Sequence, residues 1–158
     1  MVENIKFINV KDVSDEMQME LRNWRNTKEI TKYFQIEYIS KTMHEKWLQE
    51  IKKENSSIRA FLIKKDDDYI GLTYFSKIDF VNKTSEWGIY IYPVSYQNKG
   101  FGHVILDMSI KYAKEVLKLN KLFLEVLKTN SRAIKLYESF GFKKINSLDK
   151  IYRYEKKL

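Results

Sequence analysis

Gln97-Asn98-Lys99-Gly100-Phe101-Gly102, read together with Thr129 to Lys144 (TNSRAIKLYESFGFKK), is the part of the chain that decides its fold. The loop follows a predicted strand, Ser85 to Tyr92, and opens a predicted helix. Val104, Ile105, Met108, Tyr112, Ala113, Val116 and Leu117 recur there at helical spacing. Glycines let backbone approach a ligand closely, and the unpaired N–H groups of a helix start carry partial positive charge. Such a loop can cradle a pyrophosphate, with Lys99 adding charge. The same residues would also make a plain strand–turn–helix junction. No Gly-Lys-Ser/Thr follows, so this is not a Walker loop, and the third glycine of a dinucleotide fingerprint is missing.

In the second stretch Asn130 and Tyr137 are nearly two helical turns apart, so both can face one direction, with small Ala133 between them. Two readings stay open for each. Asn130 is a helix cap or a ligand contact, and Tyr137 is a core aromatic or a functional phenol. The helix is expected from about Ser131 to Ser139, with Gly141 at its left-handed C-terminal position.

Outward from this core, Ile5 to Val10 alternates as a strand, and Ser14 caps a helix with Val13, Met17, Leu21 and Trp24 on one face. Ser40 opens another helix, with a predicted buried stripe of Met43, Trp47, Leu48 and Ile51. Ile30 to Ile39 reads as a helical turn plus loop. A meander follows: Ile58 to Ile63, a turn at Asp66-Asp67-Asp68, Tyr69 to Ile78, a turn at Asn82-Lys83, then Ser85 to Tyr92. Leu122 to Leu127 is almost continuously apolar, as a strand covered on both faces would be. Phe142 to Ile145 and Ile151 to Tyr154 form a final antiparallel pair. This order predicts a mixed α/β fold with a parallel pair inside a largely antiparallel sheet. No Pro- or Gly-rich linker divides the 158 residues, which read as a single domain, 1–158.

Composition narrows the chemistry. Twenty-nine Lys and Arg against 21 Asp and Glu give a net charge of +8, which favours anionic ligands. The basic residues are scattered rather than striped and no RNA motif is present, against a nucleic-acid partner. With no cysteine there is no disulfide, thiolate metal site or Cys nucleophile, and no metal site is expected. MVENIKFINV is not a signal peptide, and no apolar window approaches the ~20 residues of a membrane span. No membrane partner and a cytoplasmic location are the expectation, and a homodimer is compatible with the sequence.

Together, Q-x-x-G-x-G and N-x-x-A-x-x-L-Y-x-x-x-G-F resemble the GNAT superfamily of N-acetyltransferases. The specific motifs cover the second half of the chain, and the order of elements matches throughout. Three residues separate Pro93 from Gln97 where two are more usual in that superfamily. The resemblance implies a sheet of about seven strands with a splayed parallel pair, about four helices, and acetyl-CoA as co-substrate. It implies that backbone at Ile91 and Tyr92 pairs with the pantetheine. Gln97, Asn98, Lys99, Gly100, Phe101 and Gly102 would wrap the pyrophosphate, and Asn130 would bond the pantetheine arm. Tyr137 would protonate the departing thiolate, and Glu86 is the candidate base, its alternative being a strand-end charge paired with Lys. Attack by a primary amine is then direct.

For the acceptor, Leu21-Arg22-Asn23-Trp24-Arg25-Asn26, with Ile39, His44 and Trp47 and with Glu86-Trp87-Gly88, is similar to the amino-sugar N-acetyltransferases of pseudaminic acid biosynthesis. Those enzymes acetylate the 4-amino group of a UDP-linked dideoxy sugar. The similarity implies that Arg25 and His44 contact a nucleotide phosphate or sugar hydroxyl, and that Trp47 or Tyr74 lines the pocket. Trp24 and Trp47 also suit core positions, and His44 suits helix packing. The alternatives are a ribosomal-protein-type Nα-acetyltransferase and a non-catalytic acyl-CoA-binding module. A polyamine acceptor is disfavoured, because a polycation needs carboxylates.

Overall fold

The computed structural model describes residues 4–158. Ser14 accepts the Met17 N–H at 3.1 Å and starts α1 (Asp15–Arg25), whose acidic first turn and basic last turn complement the helix dipole. A single turn, α2 (Lys28–Thr31), leads into a loop ending at Ser40, which caps α3 (Lys41–Ile51) in the same way, accepting from Met43 N. The strands are β1 (Ile5–Asn9), β2 (Arg59–Lys65), β3 (Asp68–Asp79), β4 (Thr84–Ile91), β5 (Lys121–Leu127), β6 (Lys143–Ser147) and β7 (Ile151–Lys157). Between them lie α4 (Phe101–Glu115) and α5 (Ser131–Ser139). One sheet of seven strands has the order β1-β2-β3-β4-β5-β7-β6, antiparallel except for β4–β5.

That parallel pair holds only from Thr84–Lys121 to Glu86–Phe123. Beyond Glu86, β4 stays with β3 as far as Ile91, while β5 stays with β7 as far as Leu127. The strands therefore part, and a gap opens in the middle of the sheet. Opposite faces carry two separate cores. On one, Phe75, Trp87, Leu122, Leu124 and Val126 pack with Ile105, Leu106, Tyr137 and Phe142 of the C-terminal half. On the other, Leu62, Leu72 and Tyr90 pack with Leu21, Trp24, Ile30 and Leu48 of the N-terminal helices. Full burial of each such aliphatic side chain stabilises by about 1.5–3 kcal/mol.

Three expectations change. β5 is not covered on both faces: Leu122, Leu124 and Val126 are buried, but Phe123, Glu125 and Leu127 are only half-buried, and Glu125 and Leu127 line the gap. On α3 the buried residues are His44, Leu48 and Ile51; Met43 is exposed and Trp47 sits at the flank, so the stripe is turned toward α1. Val116, just past the end of α4, is exposed, and within the helix Ser109 takes a core position by bonding Ile105 O at 2.7 Å. The five α-helices include the one-turn α2, and Gly141 (φ 88°) ends α5 as expected.

Candidate active site

Gly100 is the N-cap of α4 at φ 86°, a left-handed conformation, and no side chain caps this helix. A Cβ at Gly100 would meet nothing within 4 Å, so the glycine is needed for its backbone angle, and open space lies before it. Asn98 is also left-handed (φ 65°). The first N–H groups of a 15-residue helix thus lack a side-chain partner and carry its dipole, which fits a pyrophosphate. Phe101 anchors this end in the core against Tyr96 at 6.1 Å. Gly102 serves packing, since a Cβ there would lie 3.1 Å from Leu136. The extra residue between Pro93 and Gln97 is absorbed in a 3-10 turn, Val94–Tyr96.

Two loop residues sit differently from expectation. The Gln97 side chain donates to Ile91 O at 3.0 Å, tying the loop to the end of β4 rather than reaching for phosphate. Tyr92 N–H bonds Ile70 O at 3.0 Å and its ring stacks on Trp24, so its donor is committed to the sheet. Neighbouring residues of a strand send their backbone groups to opposite sides. Tyr92 faces β3, so the Ile91 N–H and both backbone groups of Ile89 turn toward the gap, where a strand-like ligand can pair, while Ile91 O is taken by Gln97.

Tyr137 is buried on α5, its ring edge-on to Trp87 at 6.1 Å and near Phe142 at 5.9 Å. Among the described residues its hydroxyl makes no hydrogen bond. Burial, reinforced by Tyr74, holds this phenol protonated well above the usual range. Asn130 caps α5, accepting Ala133 N–H at 3.3 Å, so the cap reading is correct for its carbonyl oxygen. Glu86 lies where β4 and β5 part, with Lys77 Nζ 3.3 Å away across a register shift in β3, so the paired-charge reading also holds. Glu86, Asn130, Tyr137 and Tyr74 line one small cavity of about 130 Å³.

The four acceptor candidates, Arg25, His44, Trp47 and Tyr74, line a second cavity of about 440 Å³ on the α1–α3 side. Arg25 lies 4.1 Å over the Phe34 ring and donates to Thr31 Oγ1 at 3.1 Å and Ile36 O at 2.8 Å. Arg22 and Asn26 bond Ile39 O at 2.8 and 2.9 Å, and Ile39 N–H returns to Asn26 Oδ1 at 2.7 Å. The Arg-Asn-Trp-Arg-Asn run therefore fastens the loop that roofs this chamber. Two of Arg25's five N–H groups are used in this, and the others stay available. His44 is buried; its Nε2–H donates to Gln18 O at 2.7 Å, and burial lowers its pKa. Trp47 stacks on His44 at 5.6 Å.

Sequence reasoning missed Tyr90, Phe34, Gln35 and Glu125. Tyr90 is two positions beyond Gly88 on the face of Glu86, a strand period that marks it. Glu125 is the lone acid in the apolar Leu122–Leu127, and it lines the small cavity. It is held by Arg153 at 2.7 Å and touched by Gln35 at 3.3 Å across the gap.

Residues 5–157 match the acetyltransferase (GNAT) domain family. The chain belongs to the GNAT acetyltransferases. It is an acyltransferase whose co-substrate is acetyl-CoA, and the uncapped α4 and the opened β4 edge fit that molecule. The chain is 34% identical to acetyltransferase PseH of Campylobacter jejuni strain 81-176, over 87% of this chain and 84% of the relative. C. jejuni PseH in complex with acetyl coenzyme A superposes with a TM-score of 0.75 at 30% identity, covering 97% of this chain and 98% of that one. Spermidine N-acetyltransferase from Vibrio cholerae, in complex with CoA and spermine, gives 0.85 at 23% identity (98% and 95% covered), a likeness of fold. No helix of the described residues is long and apolar enough to cross a membrane. Among them, no group of three or more His, Asp or Glu could hold a metal ion.

Proposed function

We propose that this enzyme acetylates the 4-amino group of a nucleotide-linked amino-dideoxy sugar. The observation that carries the reading is the lining of the larger chamber: it contains Arg25 and no carboxylate, with aromatic walls from Phe34, Trp47, Tyr74 and Tyr90. A polyamine would have to place cationic nitrogens in that chamber without a counter-charge. An anionic ligand with a planar ring matches it, and the net charge of +8 acts in the same direction. The identity to Campylobacter PseH supports the amino-sugar reading.

Acetyl-CoA supplies the electrophilic carbonyl and a thiolate leaving group. The α4 N-terminus and Asn98 to Gly102 hold its pyrophosphate, and the Ile89 and Ile91 backbone holds its arm. Tyr137, kept protonated by burial, donates its proton to the leaving sulfur. Glu86 takes the proton of the attacking amine, and the Glu125 carboxylate lies in the same cavity. With separate samples of a UDP-4-amino sugar, an acidic or basic peptide, and spermidine, thiol release should be fastest with the sugar. Turnover confined to peptide or spermidine sinks the sugar reading.

A further inference from the structure

Tyr74 and Gly88 are direct partners across β3 and β4. A Cβ built on Gly88 would lie 2.3 Å from both the Cζ and the hydroxyl oxygen of Tyr74. The Tyr74 ring therefore lies flat over Gly88, in space that only glycine leaves. This is the part of β4 that has just lost its β5 partner, since pairing ends at Glu86. Tyr74 lines both cavities, a position shared only with Phe34 and Gln35. Its neighbours on the strand face are Glu86 on one side and Tyr90 on the other. Trp87, next to Gly88, carries the edge-on Tyr137 ring. The Tyr74 hydroxyl thus sits between the two chambers, and it makes no hydrogen bond among the described residues. Burial pushes its pKa up to about 12, with Glu86 adding and Arg25 opposing, so the O–H is intact at neutral pH.

We infer that Tyr74 is a specificity-determining residue. Its hydroxyl hydrogen-bonds an oxygen on the carbon beside the reacting amine, and Gly88 exists to admit it. A desolvated hydroxyl at the junction disfavours an acceptor that presents only methylene groups there, because its own hydrogen bond would go unmade. A sugar offers such an oxygen and a polyamine does not. The inference deepens the amino-sugar reading and rests on it for the identity of the acceptor.

The test compares wild type, Tyr74→Phe and Gly88→Ala on the nucleotide-linked 4-amino sugar and on two simple amines, trans-2-aminocyclohexanol and cyclohexylamine. Their kcat/KM ratio isolates the neighbouring hydroxyl. The wild type should favour the amino alcohol about five- to tenfold, the worth of one neutral hydrogen bond. Tyr74→Phe should bring the ratio to about one, raise KM for the sugar by a similar factor, and leave acetyl-CoA affinity at the wild-type value. Gly88→Ala, which must move the ring, should lose the same preference. A wild-type ratio near one, or a preference that survives Tyr74→Phe, overturns the inference. Turnover of neither amine, with sugar KM unmoved by Tyr74→Phe, also overturns it. If the sugar is not a substrate but the ratio collapses in Tyr74→Phe, the sugar reading fails and the role of Tyr74 stands.

Discussion

The cleft around α4 and the chamber beneath α1–α3 are built by different means. The cleft is made of backbone: an uncapped helix, left-handed residues at Asn98 and Gly100, and a strand edge exposed where β4 leaves β5. Only a few residue types permit that geometry, so it is written into spacing. The chamber is made of side chains fastening a loop, with Arg22, Arg25 and Asn26 reaching residues 6 to 17 positions away. Many residue types can line such a wall. The proposed function therefore assigns the shared chemistry to the first region and acceptor choice to the second.

Substitutions can separate the regions. The largest effect is expected in the small cavity where β4 and β5 part. Tyr137→Phe should lower kcat by about 100-fold or more, the usual worth of a general acid, with little change in KM for either substrate. A loss below threefold would return Tyr137 to a purely structural role. Arg25→Ala comes next. Losing its bonds to Thr31 and Ile36 and its stacking on Phe34 frees the roof, and KM for the acceptor should rise about tenfold. Arg25→Lys should restore little, because lysine lacks the planar fork. Steady-state kinetics with each substrate varied will show whether the change is confined to the acceptor.

A smaller effect concerns pH. His44 is buried with its pKa lowered, chiefly by burial, so the fold favours its neutral form. That contribution is complete above the unfolded value of about 6.5 and is lost as pH falls through the lower folded value. Melting temperatures at pH 7.5 and 5.5 should fall further in the wild type than in His44→Gln. Equal losses would mean that His44 does not feel its burial.

The two regions also differed in how far sequence reached. Ser14, Ser40 and Gly141 marked helix ends correctly because caps and left-handed positions are local demands. The positions of Gly100 at the start of α4 and of Tyr137 on α5 were legible for the same reason, each tied to a fixed spacing. The alternation of β5 was obscured because Phe123 and Leu127 are apolar although their face is only half-buried. Only Glu125 broke the pattern. The part Arg25 plays in holding the roof was not legible, because its partners, Thr31 and the Ile36 carbonyl, are set by a loop conformation that no local preference dictates. The bond made by the Gln97 side chain was hidden in a similar way: its partner is a backbone oxygen that only the folded loop brings near.

Acetyl-CoA affinity in two variants tests the division most directly. Alanine at the left-handed Gly100 costs about 1–2 kcal/mol of backbone strain, felt where the pyrophosphate is proposed to bind. Titration calorimetry should therefore find acetyl-CoA binding about tenfold weaker in Gly100→Ala and unchanged in Arg25→Ala. Equal weakening in both, or weakening in Arg25→Ala alone, would contradict the assignment of cofactor and acceptor to separate halves of the molecule.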